Sequence, residues 1–433
     1  MADPGERVTD AVSVLPDMPT GGGSVRRSFR AFKYRDFTLF WTGALVSNAG
    51  TWLQNVTIPF VVFSVTHSAG WVGLSTFGQF MPMMFFSPLG GALADRFERR
   101  RVLIVTQLGL AALAAAMWLA WAGGAHSPTL LIALSGVGGA VNGLNMPSWQ
   151  AFVPSLVPRA DLSSAITLNS LQFNAARAIG PGIAGALLAS LGPSWAFALN
   201  AVSFGCVIAA LLVVRADSTP EGTPDRASVR TQFKTARDYI KTQPGIGMGV
   251  LVAMLVGFFG NPITQLTVVF AEDVFRVGPL GFGILSAAAG VGALVAAPFI
   301  SGADERTGRG PLIGMALPLY ALSIVAFGLA PNAALATAAL VVSGGGFLAV
   351  ISASNTAVQA IVADRVRGRV LAVRIMSFMA AYPIGGLIQG WTAERWGPRP
   401  TVAVTGAAMF VVALWLRQRR DLLARLDDPP DEG

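Results

Sequence analysis

Twelve apolar runs, most of them long enough for a helix to cross a bilayer, follow one another along this chain with short polar breaks between them. They fall at approximately 37–63, 70–94, 102–122, 129–153, 163–190, 195–214, 246–271, 280–301, 312–330, 333–361, 371–393 and 400–416. Backbone in hydrocarbon must satisfy its own hydrogen bonds, and runs of this length do so as helices. Water is not the main solvent: 53% of the residues are hydrophobic and 12% charged, against about 25% charged in a soluble domain. The expected fold class is an all-α membrane protein.

The charges that remain are placed unevenly. With both chain ends assigned to the cytoplasm, 27 of the 31 Lys and Arg fall on that side and three, Arg276, Arg395 and Arg399, on the other. This is the positive-inside pattern, so the net charge of +8 reads as topology, and no nucleic-acid partner is expected. Residues 1–30 contain no apolar core segment, which argues against a cleavable signal peptide and for a disordered tail. The single cysteine, Cys206, rules out an intrachain disulfide. Metal-ligand spacing, nucleophile–base pairs and phosphate loops are not found; no cofactor, metal or enzymatic activity is expected.

The chain also repeats itself. Asp95-Arg96-x-x-Arg99 matches Glu305-Arg306-x-Gly308-Arg309 at an offset of 210. Gln150-Ala151-x-Val153 matches Gln359-Ala360-x-Val362 at 209, and Ile179-Gly180 with Gly185 matches Ile384-Gly385 with Gly390 at 205. Gly192-Pro193 matches Gly397-Pro398, also at 205. Four matches in order indicate a duplicated six-helix unit. The expected organisation is a cytoplasmic tail over 1–36, a first half over 37–214, a cytoplasmic linker over 215–245, a second half over 246–416 and a cytoplasmic tail over 417–433. Within the linker, Val229, Phe233, Ala236 and Ile240 lie at helical spacing beside Arg230, Lys234, Arg237 and Lys241. They predict an amphipathic helix on the anionic leaflet, with a solvated charged loop as the alternative.

Twelve helices in two parallel halves, with an acidic–basic motif in the second and eighth breaks, resemble the major facilitator superfamily. Gly91, Leu93, Asp95, Arg96, Arg99 and Arg100 match its loop pattern; Glu98 stands where glycine is usual. The stretches "FTLFWTGALVSNAGTWLQNV", "GGALADRFERRRVLIVTQ", "NAARAIGPGIAGALL" and "DRVRGRVLAV" resemble the enterobactin-exporter-like, or transmembrane secretion effector, branch. The resemblance implies that Asp95 contacts the start of the eleventh helix, near Arg367, Arg369 and Arg374, when the inner side is closed. Gly91, Asp95, Arg96, Arg99 and Arg100, with Glu305, Arg306, Gly308 and Arg309, would then form a conformational latch. A purely topological anchor is the alternative. Gly180-Pro181 with Gly185 resembles an exporter motif of the fifth helix; by itself it is a kink and a close-packing site.

Within these runs, Arg177 near the middle of the fifth is the fully embedded charge. A charge at that depth costs at least ~2.5–3.5 kcal/mol, which argues for a role facing the interior. Asn174 lies on the same face one turn earlier. Two roles are open to Arg177, contact with an anionic ligand and bonding of helix carbonyls and amides. Amides recur at helical spacing elsewhere: Asn48, Trp52 and Asn55 in the first run, Asn142 and Asn145 in the fourth, Asn261 and Gln265 in the seventh, Asn355 in the tenth. The resemblance places these four helices around the central cavity, so they are candidate substrate contacts; each is equally suited to join helices.

The resulting expectation is a monomeric secondary transporter. It would export a siderophore-like or drug-like small molecule, anionic or amphiphilic, across the cell membrane and amid membrane lipids. Coupling to H+ is implied by the resemblance alone, since carboxylates occur only at span ends: Asp36, Glu272 and Asp273. An importer or lysophospholipid flippase on the same fold is one alternative, and a non-transporting scaffold or sensor another.

Overall fold

A computed structural model describes residues 29–216, 218–219, 229–300, 302–363 and 365–429. The first 28 residues, expected to be disordered, lie outside the described residues, as does most of the linker ahead of its helix.

The twelve runs become twelve long helices: α1 Arg35–Thr66, α2 Ala69–Arg96, α3 Arg99–Ala122, α4 Pro128–Phe152, α5 Leu162–Ser190 and α6 Pro193–Val213, then α7 Pro244–Val274, α8 Gly278–Ile300, α9 Arg309–Leu329, α10 Ala333–Ile361, α11 Arg367–Trp396 and α12 Pro398–Gln418. Among the described residues, nine of these are long and apolar enough to cross a membrane by composition alone. The other three, α1, α2 and α5, pack within the same bundle.

Their ends are written locally. Ser68 Oγ accepts from Trp71 N–H at the start of α2, Ser127 Oγ from Leu130 N–H at α4, and Asn332 Oδ1 from Leu335 N–H at α10. The repeated Gly-Pro pair does the same work twice. Gly192 and Gly397 turn the chain at φ +83° and +89°, and Pro193 and Pro398 open α6 and α12 at the first helical position. A second pair of equivalent caps lies at the face where α1 begins and α12 ends, which we term the basic face. Ser218, just past α6, accepts from Arg99 and Arg100 N–H at the start of α3; Asp427, just past α12, accepts from Arg309 and Gly310 N–H at the start of α9.

The halves meet along α2 against α11 and α5 against α8. The closest approaches lie toward the face opposite the basic one. A Cβ on Gly73 would sit 2.6 Å from Gly386 O, and one on Gly185 would sit 2.5 Å from Gly283 Cα. Phe60 stacks on Phe282 between the halves, their centroids 5.5 Å apart. At the basic face, by contrast, Asp95 at the end of α2 and Phe299 at the end of α8 are exposed.

Two features depart from expectation. The linker helix, Val229–Thr242, packs part of its apolar stripe on protein: buried Ala236, with Tyr239 and Ile240, joins Val362, Ala363 and Val366 of the α10–α11 connection, and Ala363 N–H donates to Tyr239 Oη. Burial there removes apolar surface that would otherwise face lipid or water. Helix α7 is interrupted by π-helical turns at Val256–Gly260 and Phe270–Val274, with Asn261-Pro262 between the first turn and the next α segment. Pro262 has no N–H to give, and π-turns of this kind recur where a helix lines a site.

Candidate functional site

Two cavities walled by described residues bear on the site. The first, of about 210 Å³, sits between the halves and is walled by α1, α5, α7, α8, α10 and α11. Arg177 enters it from α5, placed there by the helical turn that ends at Gly180-Pro181. Gly180 lets α5 approach α1: a Cβ there would sit 2.6 Å from Trp52 Cβ. The guanidinium lies 4.8 Å from the ring centroid of Phe347 on α10 and 5.9 Å from that of Trp52 on α1, one ring from each half. Aromatic faces attract a cation while leaving its N–H fork unused. Among the described residues Arg177 has no ion pair or hydrogen bond. Asn261 and Gln265 line the same cavity; Gln265 Nε2 donates to Tyr382 Oη at 2.8 Å, while Ser286 Oγ is buried without a partner.

The second cavity, of about 260 Å³, lies wholly inside the first half. Asn48, Asn142 and Asn145 line it, so these three are not gathered around Arg177. Trp52 and Asn55 line both cavities. Asn174 lines neither: it is exposed and donates to Ser170 O in its own helix. Asn355 is held by Arg374, whose Nη1 donates to its Oδ1 at 3.1 Å.

Arg374 is a second embedded arginine, 6% exposed, and a departure from the expected latch partner. Its Nη2 donates to Ile351 O and to Ser354 Oγ, so it bonds α11 to α10 inside the second half. Its position inside the eleventh apolar run was the available signal. Phe347 and Tyr382 carried no such signal, because an aromatic in an apolar run reads as core. Gln79, Gln107 and Asn200, lone amides in apolar runs, were also legible in principle.

Among the described residues, neither Asp95 nor Arg96 of the expected latch makes a hydrogen bond or ion pair across the halves. Asp95 and Arg96 are exposed, and Gly91 has open space around it. Arg100 donates to Leu211 O at 2.6 Å and Leu212 O at 2.9 Å, and Arg99 to Ala151 O, so both fasten α3 to its own half. Gly308, at φ +84°, and Arg309 begin α9, and Glu305 and Arg306 lie in the short helix Ala303–Thr307. Asp36 accepts from Arg215 N–H at the basic face. Glu272 and Asp273 stand on the last π-turn of α7, where Glu272 Oε1 is buried without a partner.

The family described as transmembrane secretion effector matches residues 27–425, nearly the whole chain. The chain belongs to that family. Relatives include a staphyloferrin A transporter of Staphylococcus aureus, 24% identical over 87% of this chain and 94% of the relative. The enterobactin exporter EntS of Citrobacter koseri is 26% identical over 91% and 94%, and the multidrug efflux pump Tap of Mycolicibacterium fortuitum 25% over 88% and 95%. Solved structures share the fold: the nucleoside transporter NupG superposes with a TM-score of 0.74 at 12% identity, covering 89% of this chain and all of that one. A bacterial homologue of the human lysosomal transporter Spinster, in an inward-facing unoccupied conformation, superposes at 0.71 with 15% identity, covering 92% of this chain and 99% of that one. This secretion effector family member is therefore a multi-pass membrane protein of the major facilitator type, and its relatives are transporters rather than enzymes.

Proposed function

We propose that the protein exports a small anionic or amphiphilic molecule, siderophore-like or drug-like, by alternating access between its halves. The observation that carries this reading is Arg177: an embedded guanidinium between one ring from each half, with its hydrogen-bond fork unspent. A cation placed there attracts an anion, and the rings accept an adjoining apolar or aromatic group. The named activities of relatives, an exporter and an efflux pump among them, support export as the direction. In this reading the basic face is cytoplasmic, and the state described, with Asp95 exposed and the opposite face packed shut, is the one in which an exporter loads. Closure of the basic face would bring Asp95 to the start of α11, where helix dipole and arginines favour a carboxylate. A contact made in one state alone biases the equilibrium between the two. H+ is the proposed coupling ion, with Glu272 and Asp273 at the distal end and Asp36 at the basic end as its carriers. The test is flux: Arg177→Ala should abolish transport of an anionic substrate without loss of folding, and Arg177→Lys should restore it only in part, since an ammonium lacks the planar fork. Normal transport by the alanine variant removes the assignment.

A further inference from the structure

The cavity inside the first half is separate from the one that Arg177 enters. Its chemistry is unusual for a membrane-spanning bundle: carboxamides from α1, α2, α3, α4 and α6 converge on it, and no charged side chain lines it. Some of these amides satisfy one another. Gln79 Nε2 donates to Asn55 Oδ1 at 2.6 Å, Asn200 Nδ2 to Gln54 Oε1 at 2.7 Å, and Gln107 Nε2 to Asn145 Oδ1 at 3.4 Å. Others are left over. Asn48 Nδ2 and Gln107 Oε1 are buried without a partner, and Gln107 is itself 3% exposed. An unspent donor and an unspent acceptor in a low-dielectric interior are costly, and natural interiors avoid them unless something else satisfies them.

The duplication supplies a control. At the offset of 210 that relates α3 to α9, Gln107 corresponds to Leu317, which is 1% exposed in a packed apolar core with Tyr320, Ile324 and Phe327. The fold accepts leucine at this position, so the amide in the first half is not a requirement of the architecture. Trp52 and Asn55 line this cavity and the Arg177 cavity alike, so the two are neighbours along one wall.

We propose that the first-half cavity is a second subsite of the transport site. It takes an uncharged arm rich in hydroxyl or amide groups, carried by the molecule whose anionic group Arg177 holds. The proposal rests on the anion-binding reading of Arg177. It narrows the substrate class to an anion with a hydrogen-bonding arm: Asn48 offers a donor and Gln107 an acceptor, and an arm bearing both satisfies each. A plain apolar arm leaves both unpaired, which is how buried polar groups reject an analogue that lacks the matching group.

The experiment uses the full-length protein in lipid nanodiscs and reads tryptophan fluorescence, Trp52 and Trp149 being in the cavity wall. The probes are gluconate and hexanoate, which share six carbons and one carboxylate and differ in the hydroxyls of the arm. Gluconate should bind about tenfold more tightly than hexanoate. Gln107→Leu, which installs the residue the second half uses, and separately Asn48→Ala, which removes the unspent donor, should bring that ratio close to one while hexanoate binding persists. Arg177→Ala should weaken both probes. Equal binding of the two probes, binding of neither, or a ratio unchanged in Gln107→Leu overturns the subsite. Loss of the ratio only together with lowered thermal stability of Gln107→Leu assigns the amide to helix packing and also overturns it. If Arg177→Ala leaves hexanoate binding intact while the ratio still collapses in Gln107→Leu, the anion reading fails and the subsite stands.

Discussion

The carboxylate of Glu394, near the end of α11, accepts a 3.2 Å hydrogen bond from the backbone N–H of Gly70 in the first turn of α2, 324 positions earlier and in the other half. It closes the face opposite the basic one with an anion on a helix N-terminus. The role proposed for Asp95, near the end of α2, is the same contact with the start of α11 at the basic face. Glu394→Gln keeps the acceptor and removes the charge. Near a helix start that charge is worth about 0.3–1 kcal/mol, a population shift of up to about fivefold. In a Cys206→Ser background, a cysteine in place of Thr76, buried against Gly386, should label faster with maleimide when Glu394→Gln is added. An unchanged rate means the contact does not bias the gate.

The glycine pair Gly185 and Gly283 lets α5 and α8 touch backbone to backbone. Gly185→Val should prevent that closure and reduce transport about tenfold or more, since overpacking of this kind costs about 1–3 kcal/mol. The paired variant Gly283→Val should behave alike. Full transport by either would show that the halves need not meet there.

The two embedded arginines should separate by experiment. Arg374→Ala removes three hydrogen bonds between α10 and α11 and leaves Asn355 unpaired, so thermal stability should fall by about 1–3 kcal/mol. Arg177→Ala removes a cation with no polar partner among the described residues, so stability should hold while transport is lost. Thermal unfolding in detergent distinguishes them, and the reverse pattern would exchange their roles.

Acid should release the segment that precedes α1. Asp161, 3% exposed, is bonded by Lys33 Nζ at 2.7 Å and by Tyr34 Oη at 2.7 Å, with Arg30 Nε at 3.4 Å. The Lys33 hydrogen bond first, then that of Tyr34, holds its carboxyl below the ordinary carboxylate range, and the same bond raises Lys33 above the ordinary lysine range. A depressed acid contributes stability above its unfolded pKa and loses it as pH falls through the folded one. A raised base contributes below its unfolded value and loses that contribution as pH rises through the folded one. Docking should therefore be constant through neutral pH and weaken below the usual aspartate range. Hydrogen-exchange protection at Ala31–Tyr34, corrected for the intrinsic pH dependence of exchange, should fall in acid, and in Asp161→Asn it should already be low at neutral pH; protection that survives the substitution would contradict this.

The fold was legible because a bilayer permits few solutions and because a duplicated chain states its plan twice: the Gly-Pro turns and the paired loop motifs fall where the offsets put them. The site was legible in part. Helical spacing says which residues share a face, but not which cavity that face meets: α1 lines both cavities, while the amides of α4 line the one inside the first half. Asn55, Asn261 and Gln265 thus stand by Arg177, while Asn48, Asn142 and Asn145 look into the first half. Asn355 is taken by Arg374, a pairing between helices that spacing within one helix does not encode. Glu394 left no mark at all, because its partner is a backbone N–H.

The central claim is that Arg177 binds the anionic group of an exported molecule. It is tested most directly by flux into inside-out membrane vesicles, with and without an imposed pH gradient, over a panel of siderophores, antibiotics and lysophospholipids. An anionic member of the panel should accumulate when the lumen is acid, and Arg177→Ala should abolish this at unchanged protein level. Accumulation by Arg177→Ala equal to that of the unaltered protein, or net movement only out of the vesicles, would contradict it.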